Sequence, residues 1–151
     1  RIAVTDVLMP SPQSLTDPRT RRGAPPADER SRDRRSVLAR ALTKLFEYWD
    51  LAVADRLTLL GLAPGNRMTL QRYAHGEPVA ASRDTLDRVG HLLGIQKSLE
   101  LLYPRNLDIQ KGWMTSPNRL FQDRRPVDIV EEYGLPGLVM VRGTLDIMRG
   151  Q

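Results

Sequence analysis

Cysteine is absent from the 151 residues. That removes disulfides, thiol nucleophiles and Cys-based zinc sites, and it fits a reducing cytosol. Histidine is scarce. His75 and His91 lie far apart in sequence, and neither has carboxylate partners at the helical spacing a metal site needs. No metal and no cofactor is therefore expected. Long apolar runs are missing as well: none approaches the roughly 20 residues that span a bilayer. The first residues show no signal-peptide pattern, so a cytoplasmic protein without a membrane partner is expected. There is no Gly-rich phosphate loop, because Gly61, Gly65 and Gly76 are scattered, and no Ser in a nucleophile motif. The carboxylates of Asp123, Asp128, Glu131 and Glu132 read as a solvated face rather than an acid–base pair. This inventory does not predict an enzyme.

What is present is helical patterning and an uneven charge. The length suits one domain, or two small ones sharing a core. The net charge of +5 sits at the front. Residues 1–36 carry 8 Lys/Arg against 5 Asp/Glu, residues 37–99 carry 8 against 6, and residues 100–151 carry 7 against 7. A basic front suits an acidic partner such as DNA, and a solvated basic tail is the plainer alternative. Pro10, Pro12, Pro18, Pro25 and Pro26 punctuate the first segment, where apolar side chains are too few to offset the entropy of ordering. Residues 1–32 are expected to form a flexible or extended tail. Its Arg19-Thr20-Arg21-Arg22 cluster either touches phosphate or is simply solvated.

The first helix is expected to start near Ser31 or Asp33, either a suitable N-cap. Its apolar face reads Val37, Leu38, Ala41, Leu42, Leu45, Phe46 and Trp49, with Arg40, Lys44 and Glu47 opposite. Asp50 marks the break. A short helix follows over 52–60, with Val53, Leu57 and Leu60 apolar, and Gly61 ends it. After the turn Leu62-Ala63-Pro64-Gly65-Asn66, a second short helix spans about 67–74. Helix, Gly-containing turn and helix make a helix-turn-helix pattern, whose second helix enters the major groove. Arg67, Thr69, Gln71 and Arg72 are the candidate DNA-binding residues, since Arg bridges guanine and Gln bridges adenine. Met68, Leu70 and Tyr73 would then face inward.

Ser82 is the expected N-cap of a helix over 83–93, stopped by Gly94. His91 reads as a surface or half-buried helical residue. Another helix is expected over 95–103, with Leu99 and Leu102 buried and Pro104 beyond it. Asn106 should cap 107–114, which carries Trp113. Trp113 is either a core anchor whose indole N–H finds one partner or part of an interface hot spot. Pro117-Asn118 starts a turn leading to Phe121. Pro126 suits a first helical position, Asp128 the same first turn, and Tyr133-Gly134 the end. Pro136 opens the last helix, which holds Leu138, Val139, Val141, Leu145, Ile147 and Met148. Gly143 in its middle costs roughly 1 kcal/mol relative to Ala, and would permit close packing against a partner or a neighbouring helix. This much apolar surface also points to self-association or a heteromeric interface.

Trp113, Pro117-Asn118, Pro126-Val127-Asp128 and Arg149-Gly150 together resemble the toxin-binding domain of the Xre/MbcA/ParS family of bacterial antitoxins. The helix-turn-helix before them resembles the Xre-type motif of that family, so the likeness runs from about Arg34 to the end. One departure is local: the family has a small pair before its Pro-aliphatic-Asp run, and this chain has Asp123-Arg124-Arg125.

The resemblance implies an all-α protein in which an Xre-like helix-turn-helix region (33–104) precedes a small toxin-binding domain (105–151). It implies an antitoxin of a type II system whose partner is a RES-domain toxin acting on NAD, by degrading it or by transferring ADP-ribose. In the family the C-terminal end of the antitoxin occludes the toxin's NAD pocket. Carried onto this chain, the reaching residues are Arg149, Gly150 and Gln151, with Arg142 and Asp146 on the preceding turns and Trp113 and Asn118 in the same toxin-binding domain. The Gln151 end would occupy a donor-rich pyrophosphate site, and Arg149 would pair with acids on its rim. A frayed chain end is the plain alternative. Family antitoxins often repress their own operon, so operator DNA is a second expected partner, and a homodimer within the complex a third expectation. The competing reading is a DNA-binding regulator with a helical oligomerisation domain.

Overall fold

The computed structural model describes residues 27–150. Most of the expected tail, including the Arg19–Arg22 cluster, lies outside the described residues, and so does Gln151. By its internal contacts the chain divides into Arg1–Ser31 and Arg32–Gln151, and the second unit carries the features that follow. Seven helices are described: α1 (Ala27–Tyr48), α2 (Val53–Leu60), α3 (Arg67–Ala74), α4 (Arg83–Leu102), α5 (Leu107–Gly112), α6 (Pro126–Tyr133) and α7 (Leu135–Arg149). Two single 3₁₀ turns, Trp113–Thr115 and Arg119–Phe121, join α5 to α6. Among the described residues the fold is all-α.

α1 begins at Ala27, earlier than Ser31 or Asp33. Asp28 in its first turn suits the positive end of the helix dipole, so the chain is already helical where a cap was expected. Ala39, Leu42, Leu45, Phe46 and Trp49 are buried, but Val37 is 62% exposed. Val37 shares its side of the helix with Ala41, beside an open cleft, while the buried stripe is turned away from it. Asp50 ends α1 at φ 51°. Leu51 N–H reaches back to Phe46 O at 3.1 Å and Asp50 N–H to Glu47 O at 3.0 Å, the bonding of a left-handed C-terminal cap. Gly61 closes α2 in the same way at φ 67°.

The largest departure from the expected layout is α4. Gly94 does not stop it, and one helix runs from Arg83 through Leu102. Ser82 does cap it, its Oγ accepting from Thr85 N–H at 3.2 Å. Val89, Leu92, Ile95 and Leu99 form one buried stripe across the expected break. Burial along that stripe outweighs the roughly 1 kcal/mol that a mid-helix glycine costs. Gly94 is there for space: a Cβ on it would lie 2.6 Å from Arg142 Cζ of α7.

α7 packs along α4 and against α6, and α6 packs on α2. Leu138, Val141 and Leu145 of α7 are fully buried. The α6–α7 corner is tight, because a Cβ on Gly137 would run into the carbonyl of Ile129. Trp113 is a core residue, 8% exposed, with its ring edge-on to Phe121 at 6.2 Å and 79°.

A buried amide network ties the first helix to the last third of the chain. Trp49 Nε1 donates to Gln96 Oε1 at 2.7 Å. Tyr48 OH donates to Gln110 Oε1 at 3.0 Å, and Gln110 Nε2 donates to Tyr103 O at 2.8 Å. These bonds form the floor of a cleft of about 620 Å³ between α1, α4 and α5. Its buried polar groups are satisfied within the fold.

Candidate interaction surfaces

The first surface is built on α3. Tyr73 is buried and Leu70 half-buried, which fixes the inner face of the helix. The Tyr73 hydroxyl accepts from Ala80 N–H at 3.4 Å, tying the helix to the segment after it. Arg67, Gln71 and Arg72 are exposed, as expected, and Thr69 is half-buried at the edge. Met68 was expected to face inward and is 60% exposed. It precedes Gln71 and Arg72 by three and four positions and so shares their face. The outer face of α3 is thus Arg67, Met68, Gln71 and Arg72, with two cations and one apolar side chain.

Arg40, read only as a solvent-side residue of α1, adds to this surface. Its guanidinium lies against Gly76, just beyond the end of α3, where a Cβ on Gly76 would meet Arg40 Nε at 2.7 Å. Nothing in the spacing of α1 marks Arg40 as a neighbour of α3. The contact depends on the turn at Gly76, whose φ is 87°.

The second surface is the edge of α7 that faces α4. Arg142, Asp146 and Arg149 follow one another at helical spacing on it. Arg142 Nη1 lies 3.1 Å from His91 Nδ1. Arg149 Nη1 donates to Ser98 Oγ at 3.2 Å and stands 4.0 Å from Asp146 Oδ1. Gly150 continues the helical bonding, its N–H reaching Asp146 O at 3.1 Å. The structure therefore brings Arg142, Asp146, Arg149 and Gly150 together. Trp113 and Asn118 have structural parts within the toxin-side half. Trp113 is in the core, and Asn118 Oδ1 caps the turn at Leu120 N–H at 2.9 Å while its backbone pairs with Arg124. That turn puts Gln122 at φ 56° and Asp123 at φ 62°, so left-handed backbone precedes Pro126 without any glycine.

The outward face of α7, beside this edge, is apolar and open: Val139 is 47%, Met140 51% and Ile147 67% exposed. Gly143 lies between them, and a Cβ there would meet nothing within 4 Å. Its expected close packing is not with another helix among the described residues.

Between the two surfaces runs a charged joint. Arg125 Nη2 binds Asp128 Oδ1 at 2.8 Å and its Nη1 reaches Asp55 Oδ2 of α2 at 3.4 Å. The hydrogen bond from Arg125 holds the Asp128 carboxyl below its usual range, and the same bond raises Arg125. Arg88 makes a second joint, 7% exposed. Its Nε donates to Asp84 Oδ2 at 3.0 Å and its Nη1 to Leu59 O at 3.3 Å.

Two family models match this chain. Residues 28–94 match the antitoxin Xre-like helix-turn-helix domain. Residues 98–150 match the antitoxin Xre/MbcA/ParS C-terminal toxin-binding domain. The chain belongs to the Xre/MbcA/ParS family of antitoxins. It is also similar to a protein of Sinorhizobium fredii (strain NBRC 101917 / NGR234) named "Uncharacterized protein y4oB". The two are 27% identical over 129 residues, which cover 85% of this chain and 95% of the relative. The antitoxin is thus a helix-turn-helix domain joined to a toxin-binding domain, and its partner is a toxin. The joint between the two models, residues 95–97, falls inside α4, directly after Gly94. Among the described residues, no helix is long and apolar enough to cross a membrane.

Proposed function

We propose that this antitoxin neutralises a RES-domain toxin by placing its C-terminal end over the toxin's NAD pocket. The observation that carries this reading is the polar edge of α7. Arg142, Asp146 and Arg149 stand in register on one side and lead directly into Gly150. A cation pair with an acid between them suits the rim of a site built for a dinucleotide, and charge-assisted hydrogen bonds give such contacts their strength. The apolar outer face of α7 supplies area for the toxin or for a second antitoxin copy. The antitoxin acts by binding and carries out no reaction of its own. It works in the cytoplasm, where NAD is consumed.

The test is co-expression with the protein encoded by the neighbouring gene. The toxin alone should stop growth, and the antitoxin should restore it through a complex that co-purifies. Removing Arg149, Gly150 and Gln151 should release toxin activity while leaving the helical circular dichroism and melting of the antitoxin unchanged. Full neutralisation by the truncated chain would sink the occlusion reading.

A second activity is favoured by the outer face of α3: operator binding by Arg67, Gln71 and Arg72, with Thr69 at the edge, used to repress the antitoxin's own operon. Arginine and glutamine on one exposed helical face match guanine and adenine edges in the major groove. Changing all three to Ala should abolish operator binding and leave toxin neutralisation intact. Unchanged operator affinity in that variant would remove α3 from the DNA contact.

A further inference from the structure

A cleft between α2 and α6 joins the two halves of the molecule. It has a volume of about 450 Å³ and is lined by Val53, Leu57, Pro64, Arg67 and Glu131, among others. Arg67 opens α3, the candidate recognition helix. Glu131 belongs to α6, in the toxin-binding domain. Residues of opposite charge from the two domains therefore line one small cleft.

Their neighbours are already paired. Asp55 and Asp128 share Arg125, and Glu132 binds Arg124. Among the described residues no ion pair or side-chain hydrogen bond engages either Glu131 or Arg67. The start of α3 is also short of negative charge. No acid lies in its first turn, and Asn66 makes no side-chain cap bond. A helix start with free N–H groups attracts an anion and disfavours a cation such as Arg67. Arg125 fixes α6 against α2 through Asp55, and Glu131 lies one turn beyond Asp128 on the same helix. Glu131 is thus the one acid that lines the cleft on which α3 opens.

We propose that Glu131 sets the strength of DNA binding from within the toxin-binding domain, by competing with DNA phosphate for Arg67 and for the start of α3. The inference rests on the DNA reading of α3. It assigns Glu131 no contact with bases. Its role is to position Arg67 and to lower the local positive potential that phosphate meets.

The experiment compares Glu131→Gln, Arg67→Ala and the double variant with the wild-type chain. Binding to a fluorescent duplex from the region upstream of the antitoxin's gene is measured by anisotropy across a salt series. Glu131→Gln should tighten binding about threefold at low salt, the scale expected of one carboxylate across a solvated cleft. In the Arg67→Ala background the same change should alter affinity less than twofold. If Glu131→Gln leaves affinity unchanged while Arg67→Ala weakens it, the DNA reading stands and this inference is wrong. An equal gain with and without Arg67 also overturns it, since net charge alone would then explain the effect. If no variant binds any duplex, the DNA reading fails. The Arg67–Glu131 coupling is then read from chemical denaturation of the same four proteins. Coupled midpoints would show that the two charges meet across the cleft without acting on DNA, and additive midpoints that they do not meet; either way the inference falls with the DNA reading.

Discussion

Asp128 shows how one side chain ties a helix start to its surroundings. It sits in the first turn of α6, where the helix dipole favours an acid, and Arg125 grips it there. Its folded-state pKa is depressed, so its stabilisation is complete above the unfolded value of about 3.9 and is lost as pH falls through the folded value. Denaturation midpoints of wild type and Asp128→Asn should therefore differ at neutral pH and converge in acid. The pair is partly exposed, so the neutral-pH difference should be about 0.5–1 kcal/mol. Gly137 acts through space rather than charge. Its missing Cβ is replaced by the backbone of Ile129, which cannot swing aside as a long side chain can. Gly137→Ala should destabilise the fold by about 1–3 kcal/mol, read from urea unfolding. An unchanged midpoint would show that the α6–α7 corner has slack.

At the scale of the element, α4 decides how the two domains behave. A single helix crosses the joint between the two family models, and its buried stripe serves both sides of it. The halves therefore share a core. Gly94→Pro, which removes a mid-helix hydrogen bond and crowds the preceding turn, should cost about 3 kcal/mol or more. It should also lower protection from hydrogen exchange in α7 as well as in α4. Loss confined to the residues before Gly94 would mean that the halves fold independently. By contrast, α3 is short and held by few buried residues, Tyr73 above all. Its identity as a recognition helix depends on what it leaves exposed.

For the whole molecule, the question is which surfaces are left for partners once the core is complete. α7 answers it with two sides: a polar edge tied to α4 and an apolar face with none of the described helices against it. Changing Val139 and Ile147 to Asp should leave the melting temperature of the free antitoxin within a few degrees, because both side chains are already exposed. The same change should disrupt assembly, whether with toxin or with a second copy, seen as a loss of complex on size-exclusion chromatography. Retained assembly would move the interface elsewhere.

Periodicity and local chemistry were enough to place α2, α3, α6, the caps at Gly61, Ser82 and Asn106, and the turn at Pro117-Asn118. Each of these depends on side chains within a few residues of one another, so sequence alone determined them. It also carried the family likeness, through Trp113, Pro117-Asn118 and Pro126-Val127-Asp128, and it put Arg67, Gln71 and Arg72 on an exposed face. Gly94, Val37, Met68 and Arg40 were decided only by tertiary structure. A glycine reads as a stop until a second helix is seen to need its space. A methionine reads as core until the neighbouring helices are seen to leave it uncovered. Arg40 and Glu131 read as solvated surface until the chain folds back and sets each beside α3. Local rules fix which helices form, whereas the meaning of a charge or a gap depends on what distant residues bring next to it.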